Sequence, residues 1–278
     1  MGQTSKSRCY CIRDKAINLL YDSNLRLSVS PFLIEGFLYL NIINHKSIKM
    51  KKMLFIVAIF SVTTLFSQNT FQLWNFNAKE GMEESIANLA DEQWGDSKFK
   101  SGGIQIERIG HGDNPWSHRI ILFGEVGKIG RVDGEVKESE WQLFQEKLNN
   151  LVDEWGTSFA GRFLSIEGGS WIDFPYVQIY DIKLNDQVAF KKAHDKLVKQ
   201  TSKTRGDRPV AFGTYDIGGG ENISHWVAVG SKGFSDLISQ KVAEEKYLKE
   251  WAEWSKNNGG MVSSSNYTIT VLASYPNE

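Results

Sequence analysis

The sequence predicts an α+β protein in which two tandem βαββαβ units pack sheet against sheet. Two observations lead to this prediction. Segments with strand-like and helix-like periodicity follow the same order twice between residue 68 and the end of the chain. In addition, residues 114–124 return in shortened form as residues 222–230, and each copy passes from a turn into an apolar strand through the dipeptide Ser-His. A recurrence of this kind indicates an internal repeat.

The first unit, residues 68–168, has the periodicity of four strands and two helices. Residues 71–77 alternate apolar side chains between two faces, as a half-buried strand does, whereas residues 80–93 carry apolar side chains at helical spacing. A longer apolar stripe that ends at Gly156 predicts the second helix. The predicted elements are strands at 71–77, 104–109, 118–126 and 159–166 and helices at 80–93 and 141–155.

The second unit, residues 169–278, repeats this order. Its first strand and helix have the same two periodicities as those of the first unit, and a run of three glycines marks the turn before its third strand. The predicted elements are strands at 177–183, 209–217, 224–230 and 266–275, helices at 186–200 and 241–256, and a short helical turn at 232–240.

Equivalent positions of the two units stay in register. The offset is 106 residues between Phe71 and Val177 and 108 between Asn114 and Asn222, so it drifts by only two residues. A βαββαβ unit has the ferredoxin-like plan, a four-stranded antiparallel sheet with both helices on one face. Strand residues 120–123 are apolar on both faces, which requires a cover on each side of the sheet. The two ferredoxin-like sheets are therefore expected to cover each other.

By this order of elements, residues 68–275 resemble the dimeric α/β-barrel superfamily, particularly those members in which a duplicated unit makes the barrel within one chain. The resemblance implies two ferredoxin-like units packed sheet to sheet as a pseudo-dimeric α/β barrel. That superfamily includes small monooxygenases, isomerase-like enzymes, stress-responsive proteins, and the haem-binding chlorite dismutases and dye-decolourising peroxidases. No catalytic motif of these enzymes occurs in the sequence. The resemblance therefore assigns no catalytic residue, and it leaves the cofactor open.

The first 67 residues have the character of a leader. Two lysines precede an uncharged apolar run at residues 53–66, and a Ser-Gln dipeptide follows it. These features are typical of a bacterial secretory signal, and the run is shorter than the roughly 20 residues that span a bilayer. We expect residues 50–67 to be a signal peptide and residues 1–49 to be an over-extended gene start. The protein would then be periplasmic or extracellular, with no stable membrane anchor after cleavage.

The charges and cysteines divide unequally at the end of this leader. The 278 residues carry a net charge of -1, but the part after residue 67 has 23 Lys and Arg against 30 Asp and Glu. An acidic domain without clustered cations is unsuited to nucleic acid, because binding requires neutralisation of phosphates. Both cysteines, Cys9 and Cys11, lie in the leader. The remaining chain therefore has no disulfide and no thiolate nucleophile.

His118 and His225 are the candidates with the clearest chemistry, because each begins an apolar strand directly after a serine. A pseudo-twofold axis between the units would direct both rings towards one shared cavity, where they would bind a ligand, ligate a metal or haem, or act as an acid or base. The alternative is structural, with each ring hydrogen-bonded to its own turn. A Ser-His catalytic dyad is disfavoured because adjacent strand residues face opposite ways, so that Ser117 and Ser224 would turn away from the rings.

Three tryptophans, Trp116 in a turn, Trp171 in the linker and Trp226 at a strand edge, are further candidates for lining a ligand cleft. The leading hypothesis is an exported module that binds a small apolar or aromatic ligand or a protein partner. The alternative is a barrel-cavity enzyme that uses His118 or His225, either a cofactor-independent monooxygenase or isomerase or, less readily, a haem-dependent enzyme. No metal site is predicted. The tryptophans that fall on helix stripes and are expected in the core are Trp141, Trp155, Trp251 and Trp254.

Overall fold

In the computed structural model, eight antiparallel strands hydrogen-bond into one closed barrel, with helices packed outside it. The structure describes residues 68–277 except Glu135 and Gly220. The predicted signal segment and the 49 residues before it lie outside the described residues. The α+β class expected from the sequence is confirmed.

Within the described residues, the chain forms eight strands and five α-helices. Two short 3-10 turns, at Trp171–Asp173 and Glu245–Tyr247, complete the regular structure. The strands are β1 (Asn69–Ala78), β2 (Gly103–Gly112), β3 (His118–Glu125), β4 (Val152–Glu167), β5 (Tyr176–Leu184), β6 (Val210–Ile217), β7 (His225–Ser231) and β8 (Met261–Pro276). The helices are α1 (Glu83–Trp94), α2 (Glu138–Leu151), α3 (Gln187–Arg205), α4 (Phe234–Glu244) and α5 (Leu248–Asn257).

The order of strands around the barrel is β1-β3-β2-β8-β5-β7-β6-β4, and β4 pairs with β1 to close it. Within the first four strands the spatial order is therefore fourth, first, third, second, and within the last four it is the same. Two antiparallel ladders join the halves, β2 with β8 and β4 with β6. Closure leaves no unpaired edge strand, which removes the usual template for edge-to-edge aggregation.

Alternation along each strand separates two apolar layers. Inward-facing side chains such as Phe71 and Trp226 form a cluster inside the barrel. Outward-facing side chains form separate clusters beneath the helices, one around Phe76 in the first half and one around Phe212 in the second. Phe76 and Phe212 are fully buried, and each such side chain contributes roughly 1.5–3 kcal/mol to folding. The helices therefore pack on the outer face, which leaves the barrel interior as a separate compartment.

The second predicted helix is shorter than its apolar stripe indicated. It ends at Leu151, and the segment that follows is the start of β4. Val152 pairs with Ala78 and Trp155 pairs with Phe76, so the ladder with β1 uses the backbone groups that a further helical turn would need. Residue 152 is also β-branched, which favours a strand.

The helical region after β7 also differs from the prediction. Instead of a short turn and one long helix, the chain forms the full helix α4, a 3-10 turn and the shorter helix α5. Both helices contact α3. α4 buries Leu237 and Gln240, a pair at i and i+3 that lies on one helix face.

The expectation that the helix-stripe tryptophans belong to the core was wrong for three of them. Trp141 is 37% exposed, Trp155 is 44% exposed and Trp251 is 38% exposed. The indole of Trp155 belongs to the segment that became a strand, which explains its displacement from the helix stripe. Among the helices of the described residues, none is both long and apolar enough to cross a membrane.

Candidate functional site

The two predicted histidines lie outside the barrel, in the layers beneath the helices. His118 stacks on Phe76 with ring centroids 5.4 Å apart, and His225 stacks on Phe212 at 5.6 Å. Both rings are buried. Because Phe76 and Phe212 belong to the outer apolar clusters, the histidines do not meet across the barrel as the shared-cavity hypothesis required.

In the first half, Ser117 and His118 connect three elements. The Ser117 hydroxyl accepts a hydrogen bond from the backbone N–H of Ala78, at the end of β1, and lies 2.8 Å from Nδ1 of His118. Nε2 of His118 lies 3.1 Å from a carboxylate oxygen of Glu83, the first residue of α1. A neutral imidazole that donates from Nε2 and accepts at Nδ1 satisfies both contacts.

The second half has the same connection. The Ser224 hydroxyl accepts from the backbone N–H of Leu184, at the end of β5, and lies 2.7 Å from Nδ1 of His225. Nε2 of His225 lies 3.1 Å from the side-chain oxygen of Gln187, the first residue of α3. We call each Ser-His pair with its strand and helix partners a Ser-His clip.

The clips correct the argument that adjacent strand residues keep serine and histidine apart. Each serine precedes the first residue of its strand, so strand alternation does not govern the direction of its hydroxyl. The contact is nevertheless a structural one. The hydroxyl already accepts a backbone hydrogen bond, and both ring nitrogens of each histidine have protein partners.

We expect the clips to make stability sensitive to mild acid. Burial lowers the pKa of His118, against the opposing effect of Glu83, and burial likewise lowers the pKa of His225, against Asp216. Since the unfolded histidines protonate near their ordinary pKa of 6.5, the unfolded chain binds protons first as the pH falls. Stability is therefore complete above pH 6.5 and decreases below it. Urea unfolding at a series of pH values should show a shallower decrease in a His118→Gln/His225→Gln variant; parallel curves would contradict this.

The barrel interior contains a cavity of about 200 Å³. Its walls are mostly aromatic and aliphatic. Trp226, one of the predicted candidates, lies edge-on to Phe71 with centroids 5.6 Å apart and edge-on to Phe163 at 4.9 Å. The main apolar lining residues are Phe71, Leu73, Ile121, Phe123, Phe163, Trp171, Ile179, Trp226 and Ile269.

One wall of this cavity is polar. Arg119 and Glu107, opposite each other on β3 and β2, form a buried ion pair, and Arg119 also donates to the hydroxyl of Tyr267 at 3.1 Å. Burial alone would lower the pKa of Arg119, but the negative charge of Glu107 raises it above its ordinary value. The guanidinium and carboxylate therefore present a dipole, with little net charge, to the cavity.

A second buried polar pair, on β5 and β6, lies near enough to Arg119 to interact with its charge. Tyr215, which lines the cavity, donates to a carboxylate oxygen of Asp181 at 2.7 Å. Burial raises the pKa of Asp181, opposed by this hydrogen bond and by the charge of Arg119. Burial also raises the pKa of Tyr215 well above its ordinary value. The pair is a hydrogen-bonded chain from the cavity wall to a buried carboxyl group.

The cavity opens at one end of the barrel, where its lining residues Asn69 and Ile166 are exposed. Trp116 lies at the other end, because it precedes the first residue of β3 while the cavity-lining Phe123 is near that strand's last residue. It packs against the interior cluster without lining the cavity. Gly156 makes room for it, since a Cβ there would lie 2.4 Å from an indole carbon.

The structure thus brings two predicted residues, Trp171 and Trp226, to the cavity and leaves His118, His225 and Trp116 elsewhere. The residues that the sequence reasoning missed are Glu107, Arg119, Asp181 and Tyr215. One signal was present: an outward-facing His118 makes the next strand residue, Arg119, face inward. Among the residues that the structure describes, no three His, Cys, Asp or Glu side chains cluster as a metal site.

A closed antiparallel eight-stranded barrel that is built from two four-stranded halves and carries its helices outside has known counterparts. The putative monooxygenase of Lactobacillus acidophilus NCFM superposes with a TM-score of 0.50 at 15% identity, covering 76% of this chain and 97% of that one. The putative monooxygenase FN1347 of Fusobacterium nucleatum gives 0.50 at 12% identity, with 76% and 95% covered.

The protein has the dimeric α/β-barrel fold.

The resemblance of element order to the dimeric α/β-barrel superfamily is therefore confirmed at the level of the fold. No protein-family profile matches the sequence, and no curated protein matches it significantly. At identities of 12% and 15% the neighbours indicate the fold alone.

Proposed function

We propose that the barrel interior binds a small, neutral aromatic molecule that carries a hydroxyl or carbonyl group. The observation that carries this proposal is an aromatic-lined cavity of about 200 Å³ with a charge-paired polar wall. Binding sites for small molecules are typically apolar cavities with a few convergent polar groups. The volume is below the about 300 Å³ at which pockets for drug-sized ligands begin, so a single or fused pair of rings fits best.

The aromatic walls suit a planar ring. Phe71, Phe163 and Trp226 meet one another edge to face, at interplanar angles of 81° to 84°. Aromatic pairs prefer edge-to-face or offset contacts, each worth about 0.5–1.5 kcal/mol beyond area burial. An aromatic ligand would continue this arrangement, whereas a flexible aliphatic chain would gain area burial only.

The polar wall favours a neutral group over an anion. Arg119 is already paired with Glu107, so a ligand carboxylate would face both the cation and the carboxylate. A hydroxyl or carbonyl oxygen can instead accept from Arg119, and a hydroxyl can also donate towards Glu107, without displacing the pair. The hydroxyl oxygen of Tyr215 is a further acceptor, because its proton is donated to Asp181.

The proposal extends to origin and location. We infer that the barrel arose by duplication of a βαββαβ unit. The identical strand order in the two halves and the two equivalent Ser-His clips support this.

Export to the periplasm or medium remains a proposal that rests on the apolar segment at residues 53–66. An exported binding module of this kind would collect aromatic compounds outside the cytoplasm.

An enzyme acting in the same cavity is the second candidate. A phenol that donates its proton to the hydroxyl oxygen of Tyr215 would pass it to Asp181 through the 2.7 Å hydrogen bond and become an electron-rich phenolate. The two structural neighbours are named for monooxygenase activity. Neither His118 nor His225 lines the cavity, so neither can accept this proton. Oxygen uptake on addition of 2-naphthol, lost in Tyr215→Phe, would favour the enzyme; absence of uptake would leave the binding role.

Calorimetric titration with 2-naphthol tests the proposed function. We expect a Kd of about 10–100 µM, consistent with a ligand of about 11 heavy atoms. Ala228→Phe fills the cavity and should abolish binding, whereas Val229→Phe, its neighbour on the outward face of β7, is the matched control and should retain it. Equal binding by wild type and Ala228→Phe would contradict the proposal. Binding of 2-naphthoate that Ala228→Phe removes would contradict its restriction to neutral ligands.

A further inference from the structure

We propose that a second site, between the helices and the outer face of the barrel in the second half, binds an apolar molecule that carries one anionic group. This outer cavity has a volume of about 470 Å³ and lies between α3, α4 and α5 and the sheet. Its apolar lining includes Phe190, Leu197, Val227, Leu237, Trp254 and Met261. It is separate from the barrel interior, because the strands themselves form the wall between the two.

The two halves of the protein differ in how their helices cover the sheet. In the first half, α1 and α2 share one cluster of twelve buried apolar residues with the sheet, centred on Phe76. In the second half the corresponding cluster has three buried residues, Ile182, Phe190 and Phe212, and the buried Leu197, Val198 and Leu237 line the cavity without joining that cluster. The break between α4 and α5 at the 3-10 turn accompanies this loss of packing. An equivalent layer that is filled in one half is therefore open in the other.

A buried cation lines the outer cavity. Arg205, at the end of α3, is 6% exposed, and among the described residues no carboxylate lies within ion-pair distance of it. One guanidinium nitrogen donates to the carbonyl of Arg208 at 2.5 Å, but Nε has no partner. Burial lowers the pKa of Arg205, and the negative charges of Glu167 and Glu244 act in the opposite direction. The arginine nevertheless keeps its charge at neutral pH. A buried, unpaired guanidinium is costly unless an anion accompanies it.

A second donor in the same lining is also unpartnered. The indole Nε1 of Trp254 is buried and has no hydrogen-bond acceptor. The nearby carboxylate of Glu244 is used by Gln240, which donates to it at 2.6 Å. Lys241, at the exposed rim, donates to the hydroxyl of Tyr180 at 2.9 Å. These two donors lack an acceptor in a lining that is mostly apolar but also includes Gln178, His194, Thr201 and Glu245.

A carboxylate on an aliphatic or aryl body meets both requirements. Its negative charge can compensate the guanidinium of Arg205, while its apolar part occupies the space that the first half fills with side chains. The anionic group distinguishes this ligand class from the neutral aromatic class proposed for the barrel interior.

Octanoate is the probe for this site, with 1-octanol as the uncharged match, and binding is measured by calorimetry. We expect octanoate to bind the wild-type protein at least tenfold more tightly than 1-octanol. Arg205→Met should reduce octanoate affinity at least tenfold and leave 1-octanol unchanged. Val229→Phe, which fills the outer cavity, should remove both, and Ala228→Phe should remove neither.

Circular dichroism shows whether each variant folds. If Arg205→Met does not fold, the effect of Val229→Phe on octanoate binding decides whether the outer cavity is the site. No octanoate binding to the wild-type protein, or octanoate binding that neither variant weakens, would overturn the proposal. Octanoate binding that Ala228→Phe alone removes would place the ligand inside the barrel and also overturn it. Because 2-naphthol is measured separately, the outer site and the barrel site can fail independently.

Discussion

Replacing Glu107 with methionine is expected to lower the free energy of unfolding by about 3–5 kcal/mol, the usual cost of leaving one member of a buried ion pair unpaired. Glu107 and Arg119 are 4% and 5% exposed, so the arginine that remains is largely shielded from bulk water. Among the described residues, its remaining hydrogen bond would be the one to the hydroxyl of Tyr267. Urea unfolding followed by circular dichroism measures the loss.

The double variant Glu107→Met/Arg119→Met distinguishes the cost of leaving one charge unpaired from the cost of removing the whole ion pair. Replacing a buried ion pair with apolar side chains of similar volume is often close to neutral, so the double variant should recover most of the stability that the single variant loses. The same double variant should bind 2-naphthol more weakly, because the polar wall of the cavity is gone. A double variant as unstable as the single one would contradict the account of this wall.

Replacing Trp226 with alanine is expected to destabilise the protein by about 3–5 kcal/mol, because removal of a large buried aromatic ring leaves a cavity. Trp226 is 6% exposed and fills the space beside Gly213, where a Cβ would lie 2.3 Å from its ring. The barrel cavity would grow and lose an aromatic wall. Weaker binding of 2-naphthol should therefore accompany the loss of stability.

Trp155→Ala is the comparison for this change. Trp155 is 44% exposed, and its indole is held by a hydrogen bond to Asn149, so its removal should cost less than half as much. Thermal unfolding of the two variants side by side provides the measurement. Equal losses would mean that Trp226 does not have the interior role assigned to it.

Much of the fold followed from periodicity in the sequence. Six of the eight strands begin and end within three residues of their predicted limits, because alternation of apolar side chains reflects burial on a sheet directly, whereas β4 and β8 begin seven and five residues earlier than predicted. The end of α2 did not follow. Val152 and Trp155 continue the helical stripe, but β1 supplies hydrogen-bond partners that local sequence does not reveal. Long-range pairing overrode a local pattern there.

The candidate site was only partly accessible from the sequence. Ser-His marked equivalent positions, yet its meaning depended on Ala78 and Glu83 for the first copy, which lie 35 to 39 residues away along the chain. Trp226 was recognised because aromatic residues at strand edges often line clefts. Arg119 and Glu107 were missed, although both lie within predicted strands, because the role of a charge inside a barrel becomes clear only with its cross-strand partner.

The most direct test of the proposed barrel site is a crystal structure of the protein grown with 6-bromo-2-naphthol. Anomalous scattering from the bromine locates the ligand without assumptions about its pose. The account predicts a peak inside the barrel, between Phe71, Phe163 and Trp226, with the ligand hydroxyl towards Arg119 or Tyr215. A peak in the outer cavity alone, or no interior peak from crystals grown at saturating ligand, would contradict it.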